Sequence, residues 1–375
     1  MAEQLKTFFS PALVRRLSGD IARVHPAFDS RAFIRDATRG LDDLELLDRG
    51  KHIARALAKH LPKEYPAAVD VLLRSLGPEH ATDELVGVGM GPFFYLPHTL
   101  IVAELGLDHF QLSMKAQYEL TKRFSAEGSI RPFIAKYPDR TLGTLREWTM
   151  DANPHVRRLV SEGTRLRLPW AMRVPWLDAN PHRVLELLEL LKDDPTTLVR
   201  RSVANNLNDL GKVHPALLAK TAEAWLKGAG ENRRALIEHA LRSAVKRGDA
   251  NALKLLGYGK KPAVVIDNVR FAPKRVAIGG RVVMDFVVRS TSRTTQDLLV
   301  DVAVHFVKAR GHSAKKVFKV KRVSLPARGT VALSFSVSLK VHTTRKPNPG
   351  KHTVDVLVNG APFPAGSFEV QRIRD

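Results

Sequence analysis

Residues Asp151 to Trp170 read DANPHVRRLVSEGTRLRLPW, and Asp194 to Asp209 echo them as DPTTLVRRSVANNLND. The shared Val-Arg-Arg motif begins at Val156 and again at Val199, 43 residues apart. That falls within the roughly 40–47-residue period of repeats in which each unit is a small group of helices. In the first copy Val156, Leu159 and Val160 form an apolar helical stripe, while Arg158, Glu162 and Arg165 share a polar face. In the second, Val199, Val203, Leu207 and Leu210 face inward, and Arg201, Asn205 and Asp209 share the other side. Stacked repeats align such faces along one groove. A groove lined with arginines and a few acids suits a polyanion, with room for chemistry beside positive charge.

Helical patterns extend outward from this stretch over residues 1 to about 258. Leu44, Leu47, Ile53, Leu57 and Leu61 recur at helical spacing, and Tyr65 to Gly77 repeats the pattern and stops on glycine. Further helices are predicted at Phe110–Phe124, Pro154–Leu166, His182–Leu191, Thr196–Leu210, Pro215–Leu226 and Asn232–Val245. Pro154, Pro181, Pro195 and Pro215 start or precede several of them. Short loops and a 35–45-residue rhythm predict an all-α solenoid of HEAT-like repeats. The pattern changes at a linker near residues 257–262. Beyond it, β-rich runs begin at Ala263, Arg281, Leu298, Lys315, Val331, His352 and Ser367, divided by Gly/Pro/Ser turns. They predict an all-β immunoglobulin-like sandwich over 263–375.

Composition narrows the function. Lysine and arginine number 60 against 38 acids, and residues 261–375 alone hold 21 basic and 7 acidic residues. Such a field points to a polyanionic partner, nucleic acid before an anionic membrane. Membrane-surface binding is disfavoured because no basic amphipathic helix carries exposed aromatics. The chain has no cysteine, which excludes disulfides, thiolate metal sites and cysteine nucleophiles. The first residues lack an apolar signal core and no stretch is long enough to span a bilayer, so a soluble cytoplasmic protein is expected.

Among motifs that could carry chemistry, the acids stand out. Glu127, in FSAEGSIRP, resembles Glu162 in its Ser-x-Glu-Gly or Ser-Glu-Gly context, and each precedes a glycine expected to end its helix. A carboxylate in a last helical turn opposes the dipole by up to about 1 kcal/mol, a placement that a cationic ligand would explain. Solvated i,i+4 contacts are the plainer alternative. The proline-bounded loop LPWAMRVPW offers Trp170 as a stacking surface for sugar or base, with Trp176 equally readable as packing; Trp148 and Trp225 read as core. Lys315, Lys316 and Lys319 follow a strand whose lysines either contact phosphates or guard an edge. The glycine-rich run from Gly87 to Pro92 lacks the lysine and Ser/Thr of a phosphate loop. The 14 histidines form no HExxH or similar spacing, and no G-x-S-x-G elbow occurs; neither metal nor cofactor is expected.

Together the segments FDSRAF (28–33), LDDLELLDRGKHIARAL (41–57), LPKEYPAAV (61–69), Asn153–Trp170 and Val199–Asp209 resemble the DNA-alkylation-repair glycosylases of the HEAT-like superfamily, nearest the AlkC branch, sister to AlkD. The likeness covers residues 1–258, and some members of that branch carry an appended immunoglobulin-like domain, as 263–375 would be. The resemblance implies a monofunctional N-glycosylase that excises cationic alkylated bases such as 3-methyladenine or 3-methylcytosine from double-stranded DNA, as a monomer. By motif, Glu127, Glu162 and Asp209 would lie near the anomeric carbon, Trp170 against the lesion, and Arg158 and Arg165 on the backbone. Apart from the resemblance, the polar face of Arg201 and Asn205 and the basic strand of Lys315, Lys316 and Lys319 make these residues candidate DNA contacts. The resemblance further implies a grip on distorted backbone that reaches the sugar without a deep base pocket. The few aromatics near the acids fit that expectation. The rival is a non-enzymatic repeat scaffold for nucleic acid or protein.

Overall fold

Helix starts in this chain are written in capping residues and prolines. Ser10, Asp29, Asn153 and Asp249 each accept a backbone N–H from the first turn they precede. Proline occupies the first turn at Pro11, Pro66, Pro97, Pro132, Pro138, Pro154, Pro175 and Pro181. The computed structural model describes residues 5–80, 90–309, 311–341 and 346–372. The glycines at 87 and 89 fall outside them.

The described helices are α1 (Pro11–Val24), α2 (Ser30–Thr38), α3 (Leu46–His60), α4 (Tyr65–Arg74), α5 (Leu96–Leu105), α6 (Phe110–Thr121), α7 (Arg131–Lys136) and α8 (Pro138–Trp148). Then come α9 (Pro154–Gly163), α10 (Pro175–Ala179), α11 (Pro181–Leu191), α12 (Thr197–Val213), α13 (Pro215–Leu226), α14 (Glu231–Arg247) and α15 (Ala250–Leu255). None among the described residues is long and apolar enough to cross a membrane. By their contacts the residues form two compact units. One runs to Leu218 and adds Trp225–Ala240; the other takes Ala219–Ala224 and the described residues from Leu241.

In the first unit the apolar stripes do what their spacing implies. Val156, Leu159 and Val160 of α9, and Val199, Val203, Leu207 and Leu210 of α12, have no solvent exposure. Helix α6 packs on α9, and α9 on α12. Helix α9 is thus packed between α6 and α12. That stacking positions the site.

The second unit is an eight-stranded sandwich: β1 (Val264–Ala272), β2 (Arg275–Ala277), β3 (Arg281–Ser290), β4 (Gln296–Val307), β5 (Ser313–Leu325), β6 (Thr330–Ser338), β7 (Gly350–Val358) and β8 (Ala361–Gln371). One sheet is ordered β1-β3-β6 and the other β2-β8-β7-β4-β5. Alternate residues of β3 (Val282, Met284, Phe286, Val288) and β4 (Leu298, Val300, Val302, Val304) meet in its core. The lysine-bearing strand β5 is an edge strand. Helical residues from Leu241 belong to this unit, where Leu253 lies so close to Gly360 that a Cβ there would stand 2.6 Å from its Cδ1.

Candidate active site

The echo that defines the repeat is a hydrogen-bonding device. Asp151 Oδ1 accepts from Asn153 N at 2.7 Å, and Asp194 Oδ1 from Thr196 N at 2.8 Å. Arg157 Nη1 donates to the carbonyls of Asp151 and Ala152, and Arg200 Nη1 to those of Asp194 and Pro195. Arg157 also holds the Asp194 carboxylate at 2.6 Å. The first arginine of each Val-Arg-Arg motif therefore ties the entry loop of its own helix. The second arginine is left for other work.

Arg158, the second arginine on α9, begins a row of alternating charge. Its Nη2 donates to Glu127 Oε2 at 3.0 Å, and Ser125 Oγ donates to the same oxygen at 2.8 Å. Glu162 Oε1 accepts from Arg165 Nη1 at 2.5 Å and lies 3.8 Å from Arg158. Arg165 Nε in turn reaches Asp209 Oδ2 at 2.8 Å, and Lys212 Nζ donates to Oδ1 at 2.7 Å. Glu162 and Asp209 thus share one guanidinium. The Arg158–Glu127 and Arg165–Asp209 contacts reach from one element to another, so the row is more than solvated i,i+4 pairing along α9.

The acids differ in access. The Glu127 side chain is 29% exposed, against 7% for Glu162 and 1% for Asp209. Burial pushes the Glu162 carboxyl up, but Arg158, Arg165 and a 2.5 Å hydrogen bond from Ser202 Oγ outweigh it and hold it below the usual carboxylate range. Glu127 and Arg158 line a cavity of about 600 Å³ walled by Phe93, Leu96, Pro132 and Met172, with Trp170 on its lining. Trp170 is 71% exposed and has a left-handed φ of 60°, a conformation that costs a bulky residue about 1–2 kcal/mol.

The profile of the DNA alkylation repair enzyme family matches residues 123–247, which contain this whole row, and that of the C-terminal Ig-like domain of YhaZ matches 265–372. YhaZ of Bacillus subtilis is 34% identical over 98% of this chain and 99% of its own. The Pseudomonas fluorescens alkylpurine DNA glycosylase AlkC, solved with DNA containing an abasic-site analogue, is 35% identical over 98% of this chain and all of its own, with a TM-score of 0.91. The chain belongs to the AlkC-type DNA alkylation repair enzymes. It is a DNA glycosylase, a hydrolase of N-glycosidic bonds.

Two expectations about this AlkC-type site are corrected by its geometry. Glu127 is not in a last helical turn: α6 ends at Thr121, and Glu127 sits in the turn before α7. Nor are aromatics scarce at Glu127, since Phe93, Phe124 and Trp170 line the cavity with it; Phe93 and Trp170 come from distant parts of the sequence. Gly163, following Glu162, has no left-handed φ. A Cβ there would stand 2.7 Å from Ile130 Cγ2, so glycine lets α9 approach the Glu127 turn. Arg201 is exposed on α12, and half-buried Asn205 bonds to His239 at 3.1 Å. Lys315, Lys316 and Lys319 are exposed on β5 in the second unit. Trp148 and Trp176 are half-buried, and Trp225 is buried.

Arg131 escaped the sequence reading. Its guanidinium is fully buried and donates to the carbonyls of Met172 (2.7 Å), Gly163 (2.8 Å) and Arg165 (2.9 Å). Burial pushes it down to about 10, still charged at neutral pH. It clamps both ends of the loop that joins Glu162 to Trp170.

Proposed function

We propose that this glycosylase is monofunctional and releases cationic alkylated bases, 3-methyladenine and 3-methylcytosine, from double-stranded DNA in base excision repair. On this reading residues 1–258 carry the chemistry and the basic domain over 263–375 adds grip, the enzyme working as a monomer at the cytosolic nucleoid. The observation that carries it is the row Glu127–Arg158–Glu162–Arg165–Asp209, in which the deepest two acids share a guanidinium.

An N3-alkylated base already bears positive charge. When its bond to the deoxyribose breaks, the electron pair leaves with the base, which departs neutral and needs no acid catalyst. Positive charge passes to the sugar, as in glycoside hydrolysis. Carboxylates fixed in place stabilise that cation without reorganising at the moment of reaction. Glu127, the most open of the three, faces the sugar and orients water; the water attacks the anomeric carbon and gives its proton to a carboxylate. Glu162 and Asp209 supply negative potential behind it. Arg158 and Arg165 hold both the acids and the backbone phosphates, and Trp170 packs on the lesion nucleotide. Arg201, Asn205, Lys315, Lys316 and Lys319 extend the phosphate contacts. Lys212 donates to Asp209, and no lysine attacks the sugar, so strand cleavage is not expected. The AlkC relative, an alkylpurine glycosylase solved on DNA, supports the substrate class.

The test is incubation with methylated duplex DNA and chromatography of the freed bases. Release of N3-methylated bases is expected, and loss of release in Glu162→Gln and Asp209→Asn with DNA affinity kept. Variants as active as the parent would take Glu162 and Asp209 out of the chemistry.

A further inference from the structure

We infer that the second unit carries a phosphate-binding pocket at the hairpin end of β4 and β5, walled by Lys308, Lys315, Lys316 and Lys346, that seats a phosphodiester of the DNA backbone. The inference rests on the DNA-binding reading above and deepens it. It adds Lys308 and Lys346, which no strand pattern singles out, and it replaces a diffuse charged edge with a built site.

The cavity there measures about 250 Å³, the share of about eight water molecules, which suits a partly hydrated phosphodiester. Phe306, Ala314 and Pro347 contribute its apolar lining, and no carboxylate lines it. All four lysines are exposed, and among the described residues none has an ion pair. The four lysines concentrate positive charge at one depression, Lys315 and Lys316 leaving opposite faces of β5, and an anion seated there would relieve their repulsion. Lys316 lies over the Phe318 ring, 5.3 Å from its centroid.

The wall is held in place. Val307 N donates to His352 Nδ1 at 3.2 Å, His352 Nε2 bonds to Asn348 O at 3.1 Å, and Asn348 Nδ2 donates to Val307 O at 3.1 Å. This closed set of bonds stitches the segment of Lys346 to the end of β4. His352 is fully buried, and burial pushes its ring below the usual histidine range. It therefore stays neutral, accepting at Nδ1 and donating at Nε2. The lysines project from a fixed frame, which lowers the ordering cost of binding.

The test uses the full chain, an undamaged duplex and a series of potassium chloride concentrations. Lys308→Ala/Lys346→Ala should weaken binding on the order of tenfold and flatten the plot of log affinity against log salt by about 1, the share of one phosphate. Lys274→Ala, an exposed lysine elsewhere in the domain, should change neither. Asn348→Ala keeps every lysine, yet should weaken binding a few-fold by releasing the wall. Unchanged affinity and slope in the double variant would overturn the pocket. So would an equal loss in Lys274→Ala, or full affinity in Asn348→Ala, since either means diffuse charge. Base release is assayed separately. A chain that frees no base but shows the lysine-dependent slope keeps the pocket and loses the glycosylase substrate reading; one that frees bases with an unaltered slope does the reverse.

Discussion

Glu162 is a carboxylate that burial alone would neutralise, kept ionised by Arg158, Arg165 and Ser202. Replacing it with glutamine keeps the shape and removes the charge, so base release should fall by about 10²–10³, the scale of losing one preorganised electrostatic group, with duplex affinity retained in a gel-shift titration. Ser202→Ala removes one bond that favours the ionised form. Because the folded carboxyl lies below its ordinary value, activity that needs the charge persists as pH falls and is lost only on crossing the folded value. In Ser202→Ala that value rises, so the acid limb of single-turnover base release should move to higher pH. An unmoved limb would mean that protonation of Glu162 does not limit the reaction. Trp170 offers the converse case. Trp170→Gly gives the left-handed backbone to the residue that tolerates it best and removes an exposed side chain, so the melting temperature should hold or rise. Base release at subsaturating DNA should drop roughly 5- to 150-fold, as expected for one lost stacking contact.

Helix ends and strand edges make demands that single residues do not. Gly163→Ala places a methyl group against Ile130, and overpacking of this kind costs about 1–3 kcal/mol. It should also displace α9 from the turn that presents Glu127, so activity should fall at temperatures where the protein is still folded by circular dichroism. On β4, burial pushes Asp301 up to about 6, against the pull of Lys319 and Lys246. A raised carboxyl binds its proton more tightly when folded. Its cost is therefore absent at pH 4 and complete above pH 6, reaching at most about 3 kcal/mol. Asp301→Asn should be more stable than the parent at pH 7.5, with the gap closing by pH 4, as read from urea midpoints. Much at this level was legible beforehand: the apolar stripes of α9 and α12 and the alternation of β3 and β4 are periodicities, and periodicity survives folding. The Glu127 turn was not, because Phe124 continues the apolar rhythm after the helix has ended at Thr121. Arg131 was invisible for a different reason. Its partners are backbone carbonyls 32 to 41 residues away, and carbonyls leave no trace in a sequence.

Charge is distributed over the whole chain with a purpose that the site alone does not explain. The row of acids is neutralised by its own arginines, whereas residues 261–375 carry 21 basic and 7 acidic residues. Net positive charge attracts DNA of any sequence and speeds encounter, while in the proposed mechanism the chemistry depends on a few fixed carboxylates. Affinity and rate should then respond to different substitutions. Replacing Lys315, Lys316 and Lys319 together by alanine removes up to two phosphate contacts, since Lys315 and Lys316 share one pocket. The log–log salt dependence of duplex binding should flatten by about 1–2, and the DNA concentration for half-maximal base release should rise steeply, with a much smaller fall in the saturated rate. Glu162→Gln should show the mirror image, a lost rate at unchanged salt dependence. If the triple variant instead bound duplex as tightly as the parent at every salt concentration, the lysines of β5 would be guards of an exposed strand edge, and the grip on DNA would have to come from other residues.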